Sequence, residues 1–129
     1  MVENLANKQT RLDFANIDFV RQLFGERNSN LQKIAKATDV DINARGNTVF
    51  ISGDEIAAAL AGNVLNQLYN LLKEGYPIHP NDIDFAVNIL SGDDTINLKE
   101  ILYFRMQIFK KLRNSSEKLR LLFKTVKIF

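Results

Sequence analysis

The chain has 129 residues, of which 46% are hydrophobic and 25% are charged, a composition typical of a globular protein with one main core. It contains no cysteine, which excludes disulfides, thiolate metal sites and a cysteine nucleophile. Because no apolar run approaches the ~20 residues that span a bilayer and no signal-peptide segment follows Met1, the sequence predicts a cytoplasmic protein without a membrane span.

The net charge of +2 combines two parts of opposite sign. Residues 1–97 carry eight Lys/Arg and thirteen Asp/Glu, whereas residues 98–129 carry nine Lys/Arg and two Asp/Glu. We therefore expect a mildly acidic domain over residues 1–97 and a basic amphipathic helical extension over residues 98–129. The end of that extension, Lys118–Phe129, has a pattern that fits either a helix or a strand.

The first elements in chain order are a strand and a short helix. Alternation predicts a strand over Thr10–Phe14, and either Asn16 or Asp18 can cap a helix over Phe19–Phe24. Gly25 is a natural residue for ending that helix in the left-handed region.

A second helix and a hairpin follow. Either Asn28 or Asn30 can cap a helix that runs to about Thr38. Alternating apolar residues then predict two strands, whose tight connection is Arg45-Gly46-Asn47. In the returning strand Val49 and Ile51 share one face, and Phe50 lies on the other.

The longest predicted helix spans roughly Glu55–Lys73 and ends before Gly75. Its predicted buried stripe is Ile56, Leu60, Val64, Leu68, Leu71 and Leu72. A further helix begins at His79-Pro80, where His79 takes the N-cap position and Asp82 the first turn.

The resulting order is strand, helix, helix, strand, strand, helix, which is the order of a KH type I domain, plus one more helix. We therefore predict an α+β fold with a three-stranded sheet packed on helices, followed by additional C-terminal helices.

A KH groove needs a close backbone approach to phosphate and free N–H groups at a helix start. The Gly25–Asn28 segment lies where a KH domain has its GXXG loop, with Asn28 in place of the final glycine. The predicted nucleic-acid-binding residues are Gly25, Glu26, Arg27, Asn28, Asn30, Lys33, Lys36, Arg45, Gly46 and Asn47. The same pattern is equally typical of a helix C-cap beside a solvated basic face.

Catalytic and metal chemistry find little support in this sequence. His79 is the only histidine, and a helix N-cap explains it. The paired aspartates suit caps and turns, the serines lack an activating base, and no G-x-x-x-x-G-K-[ST] pattern occurs. We expect no enzymatic activity, no cofactor and no metal site.

Several segments resemble the N-terminal region of bacterial PhoH-like proteins, and together they span roughly Leu12 to Leu90. They are LFGERNSNL at Leu23–Leu31, INARGN at Ile42–Asn47, ISGD at Ile51–Asp54, LYNLLKEGYP at Leu68–Pro77 and HPNDI at His79–Ile83. The resemblance implies a KH-like module that precedes a P-loop ATPase domain, in cytoplasmic proteins linked to phosphate starvation and thought to act on RNA. The family's glycine-rich nucleotide loop has no counterpart here, so the chain is interpreted as the front module alone, whether it is an excised piece of the ATPase, the product of a truncated ATPase gene or a diverged relative.

Two functional hypotheses follow. The first is a module that binds single-stranded RNA weakly, because few cations release few counterions. The second is a protein-interaction or oligomerisation domain that assembles the family's ATPase, with self-association through the C-terminal extension. A third class, ATP hydrolysis, is implied for the family but not for the residues of this chain.

Overall fold

A computed structural model of the protein describes residues 7–101. The elements are β1 (Asn7–Asp13), α1 (Ile17–Phe24), one turn of 3₁₀ helix (Glu26–Asn28), α2 (Ser29–Thr38), β2 (Asp41–Arg45), β3 (Thr48–Asp54), α3 (Glu55–Lys73) and α4 (Pro80–Gly92). The predicted order of elements is confirmed. The first strand begins and ends earlier than predicted, however, because it pairs with the whole of β3, from Asn7 opposite Asp54 to Asp13 opposite Thr48.

The chain divides into two compact units between Ile96 and Asn97. Of the second unit the structure describes residues 97–101, and residues 98–101 are helical. The predicted extension therefore lies outside the described residues from position 102 onward. Whether its last segment is a helix or a strand stays open.

The three strands form one antiparallel sheet in the order β1-β3-β2. In the central strand Val49 and Ile51 are fully buried, whereas Phe50 lies on the opposite, open face and is only half-buried. The alternation sends one set of side chains towards the helices and the other towards solvent. The α+β fold is KH type I-like, as predicted.

Helix α3 packs against α1, α4, β1 and β3 and supplies much of the core. Small residues let it lie close to the sheet, since a Cβ at Gly62 would stand 3.9 Å from side-chain atoms of Ile51 and Leu12. The buried residues of the helix are Ala58, Ala61, Gly62, Val64, Leu65, Leu68, Tyr69, Leu71 and Leu72.

The predicted burial of Ile56 is wrong. Its side chain is 81% exposed, and Leu60, also in the predicted stripe, is half-buried. The side of the helix that carries alanine and glycine faces the sheet, because it permits a closer approach than the side that carries Ile56. An apolar side chain is thereby left on the surface.

Of the predicted N-caps, Asn16 is confirmed at the start of α1, and His79 takes the predicted position at the start of α4. The Asn16 side chain accepts hydrogen bonds from the N–H groups of Asp18 and Phe19 at the start of α1. Asp54 accepts from the first turn of α3 in the same way. At the start of α4 the Asp82 carboxylate accepts from the N–H of His79 at 2.9 Å. These bonds satisfy donors that a helix start otherwise leaves open.

Tyr69 connects the long helix to the start of α1. Its hydroxyl oxygen accepts the backbone N–H of Asn16 at 3.0 Å. Its ring lies 4.7 Å from the ring of Phe14 and stands edge-on to that of Phe19 at 6.2 Å. One side chain thus determines where α1 begins relative to the core.

We predict that Tyr69→Phe lowers the free energy of unfolding by about 1 kcal/mol, because it leaves the N–H of Asn16 without its partner while the ring packing stays. Urea denaturation followed by circular dichroism measures this as a lower midpoint with an unchanged slope. An unchanged midpoint would mean that the hydrogen bond contributes nothing.

Candidate nucleic-acid interface

The bend between α1 and α2 is the part of the predicted site with the most unusual backbone. Gly25 ends α1, donating its N–H to the carbonyl of Arg21 at 3.1 Å, and adopts φ 77° and ψ 175°. That conformation is essentially restricted to glycine. A Cβ at this position would also stand 2.8 Å from Cγ of Asn30. Glycine is therefore required both for the backbone conformation and for the space beside Asn30.

Asn30 stabilises the bend from beneath rather than from the surface. Its side chain is only 7% exposed, and its amide donates to the carbonyls of Leu23 at 3.2 Å and Gln22 at 3.4 Å. These bonds satisfy carbonyls that the end of α1 leaves open. The alternative prediction that Asn30 caps α2 is therefore wrong, because its side chain is hydrogen-bonded to the preceding helix.

Arg27 and Asn28 complete the bend in the left-handed conformation, with φ 53° and 59°. Asn28 takes the N-cap position of α2, but its side chain accepts no hydrogen bond there. Two consecutive non-glycine residues in this region cost about 1–2 kcal/mol each. The side chains of Glu26, Arg27 and Asn28 are all exposed, so the bend faces solvent.

The two lysines predicted on α2 differ in their surroundings. The ammonium of Lys33 lies 3.1 Å from a carboxylate oxygen of Asp84 and donates to the carbonyl of Pro80, both on α4. Lys36 is exposed. The structure thus places one cation on the surface of α2 and uses the other to connect two helices.

The hairpin closes the sheet at the end of β2. Arg45 and Gly46 are exposed, Asn47 is half-buried, and Gly46 has φ 59°. Since β2 is the outer strand of the sheet and packs against α2, its helix-facing residues Ile42 and Ala44 stay half-buried. Apolar surface therefore remains accessible where α2 meets β2, as a base-binding groove requires.

The open face of the sheet carries groups that sequence reasoning did not place in a site. The guanidinium of Arg11 lies 5.8 Å from the ring centroid of Phe50 and forms an exposed ion pair with Asp13. The hydroxyl of Thr48, and less strongly Arg11, hold the pKa of Asp13 below its usual range. The signal that could have identified this face was Phe50, an apolar residue at a position of the central strand where alternation predicts a polar one.

Within residues 7–101 no group of three or more His, Asp or Glu side chains could hold a metal ion. In the same part of the chain no helix is long and apolar enough to cross a membrane.

We predict that Gly25→Ala lowers the free energy of unfolding by about 2 kcal/mol or more, because the new methyl group meets Asn30 in a backbone conformation that only glycine adopts easily. Gly46→Ala is the matched control, with nothing within 4 Å of its Cβ and a cost of about 1 kcal/mol from its positive φ alone. Chemical denaturation of both variants tests this, and equal losses would contradict the packing argument.

Part of this chain is similar in sequence to known proteins. A PhoH-like protein of Mycobacterium leprae is 31% identical over 85 residues, which are 66% of this chain and 24% of that protein. A PhoH-like protein of Bacillus subtilis is 29% identical over 94 residues, which are 73% of this chain and 29% of that protein. No protein-family model matches the chain.

Two solved structures are similar in fold at low sequence identity. A protein of unknown function from Aeropyrum pernix has a TM-score of 0.51 and 18% identity, over 80% of this chain and 54% of that one. Dim2p from Pyrococcus horikoshii has a TM-score of 0.48 and 16% identity, over 62% of this chain and 48% of that one.

The sequence relatives share one name, and the matched stretch is long enough to contain the bend, the hairpin and α3. The chain spans about a quarter of the length of the curated relatives that it matches. Over about two thirds of its own length, the chain is homologous to a part of the bacterial PhoH-like proteins.

Proposed function

We propose that this chain is a KH-like module that binds single-stranded RNA through the Gly25–Asn28 bend, α2 and Arg45. The observation that carries the proposal is the start of α2, where the N-cap residue Asn28 makes no side-chain hydrogen bond although the helix follows an exposed, glycine-dependent bend. The N–H groups and the positive end of a ten-residue helix favour a phosphate at such a place.

The charges around the bend support a weak interaction with a short strand. Arg27, Lys36 and Arg45 are exposed cations, whereas Lys33 is engaged by Asp84 and Glu26 lies within the bend itself. Each cation that contacts a phosphate of a single strand adds about 0.7 to the steepness with which the logarithm of the binding constant falls against the logarithm of the salt concentration. Affinity should therefore be modest and the salt dependence shallow.

The relatives suggest the setting of the module. Because the chain matches about a quarter of each PhoH-like protein, we propose that the module brings RNA to the ATPase that such proteins are thought to contain. The module itself would carry no catalysis and would act in the cytoplasm. Purified chain should then release no phosphate from ATP.

We predict that Arg27→Gln weakens binding to an RNA octamer several-fold and lowers the salt dependence by about 0.7, because one phosphate contact is lost. NMR titration of labelled protein at low salt measures the affinity from the amide shifts of residues 25–36. Lys73→Gln is the control, since it removes the same charge from the far end of α3.

In the same titration we expect that Asn28→Gly does not weaken RNA binding. It removes a side chain from the bend and relieves a left-handed non-glycine residue, so binding should be equal or tighter. If the unaltered protein shows no amide shifts between residues 25 and 36 with RNA at low salt, the proposal is wrong.

A second candidate is a protein-interaction module that self-associates. The observation in its favour is a groove of about 770 Å³ between the start of α3 and the end of α4, where the exposed Ile56 lies beside the half-buried Leu60. A second copy of the chain could cover this apolar surface. Self-association through the extension lies outside the described residues and stays a prediction.

For this second candidate we predict that the chain is larger than a monomer by light scattering and that Ile56→Lys returns it to the monomer mass. A lysine at an 81% exposed position does not disturb the core, so the fold should be unchanged. A monomer at every concentration tested would exclude this candidate and leave the RNA proposal untouched.

A further inference from the structure

The open face of the sheet has an aromatic ring at its centre. Phe50 is directly opposite Arg11 on β1 and Asn43 on β2, so polar side chains flank it across both neighbouring strands. The residue is half-buried, and it lies on the face of the sheet opposite to the one on which the described helices pack. Packing against the helices requires apolar residues at positions 49 and 51, but it does not require one at position 50.

A concavity of about 510 Å³ lies beside the ring, lined by Gln9, Asn43, Ala44, Arg45 and Phe50. Its volume falls within the ~300–1,000 Å³ typical of small-molecule sites. Ala44 alternates to the helix side of β2, whereas its two neighbours in the strand lie on the open side. The concavity therefore includes β2, the edge strand that also contacts α2.

The lining groups fit a nucleotide. An aromatic ring offers a face on which a base can stack, and the amides of Gln9 and Asn43 can both donate to and accept from base edges. The guanidinium of Arg45 suits a phosphate. None of the described residues that line the concavity carries a carboxylate.

Two carboxylates of the open face, those of Asp13 and Asp41, lie outside the lining of the concavity. Asp13 is paired with Arg11 at 3.2 Å and accepts the hydroxyl of Thr48. Asp41 lies at the opposite end of β2 from Arg45. Among the described residues that line the concavity, the one charged side chain is that of Arg45, a cation that complements an anionic ligand.

We propose that a base of single-stranded RNA stacks on Phe50 in this concavity while Arg45 holds an adjacent phosphate. This inference rests on the proposed function and extends it, because the strand would leave the α2 side of β2, pass its outer edge and continue on the open face. Arg11 accommodates the base, since its side chain is 65% exposed and can move off the ring or cover the base from the other side.

The test uses an RNA octamer that contains 2-aminopurine, whose fluorescence falls when the base stacks on a ring. The full chain should quench the probe on binding. Phe50→Leu keeps an apolar side chain but removes the ring, so it should abolish the quenching and weaken binding about tenfold, the effect of losing one base–ring stack. Phe85→Leu, at a half-buried phenylalanine on α4, should change neither.

An abasic octamer separates stacking from phosphate contacts. Its affinity should be the same for the unaltered protein and for Phe50→Leu, because it has no base to stack. Thermal melting by circular dichroism establishes that both leucine variants remain folded at the temperature of the titrations.

The outcomes distinguish this inference from the proposed function. If Arg27→Gln weakens RNA binding but Phe50→Leu leaves both affinity and quenching unchanged, the module binds RNA and the stacking site is wrong. If Phe50→Leu instead changes the mass by light scattering without changing RNA binding, the open face is a contact between protein chains, which also overturns the inference. If no oligonucleotide binds, both proposals fail.

Discussion

The hydrogen bonds from the Asn30 amide to the last carbonyls of α1 determine the shape of the candidate interface. They bring the first turn of α2 against the end of α1, and only a glycine at position 25 leaves room for them. The chain must then reverse within three residues, which places Arg27 and Asn28 in the left-handed region. A buried polar contact thus produces an exposed backbone bend, and the start of α2 has no side-chain hydrogen bond from its N-cap residue Asn28.

The arrangement of strands and helices could be predicted from the sequence because it depends on local signals. Alternation, Gly25 and the capping residues Asn16 and Asp54 act within a few positions of the elements that they define. The sheet order β1-β3-β2 follows once the hairpin at Gly46 pairs its flanking strands and the first strand takes the remaining edge of β3. The place of the bend was predicted for the same reason.

Other features depended on packing between distant residues, and the sequence did not reveal them. An asparagine can cap either of two adjoining helices, so the direction of Asn30 is decided only when α1 and α2 meet. The Lys33–Asp84 pair joins residues 51 positions apart, and no local pattern shows that this cation is engaged. For Ile56 the periodicity was correct, but contact with the sheet selected the face with Gly62 because small side chains permit a closer approach.

Strand β2, at one edge of the sheet, bears on whether the molecule aggregates in concentrated solution. A sheet edge with unpaired backbone groups is a template on which further chains can add and grow into aggregates. Here that edge is five residues long and is bounded by charged side chains, Asp41 at one end and Arg45 at the other. Shortness and charge both oppose edge-to-edge growth, so the strand can stay open to a ligand without recruiting neighbouring sheets.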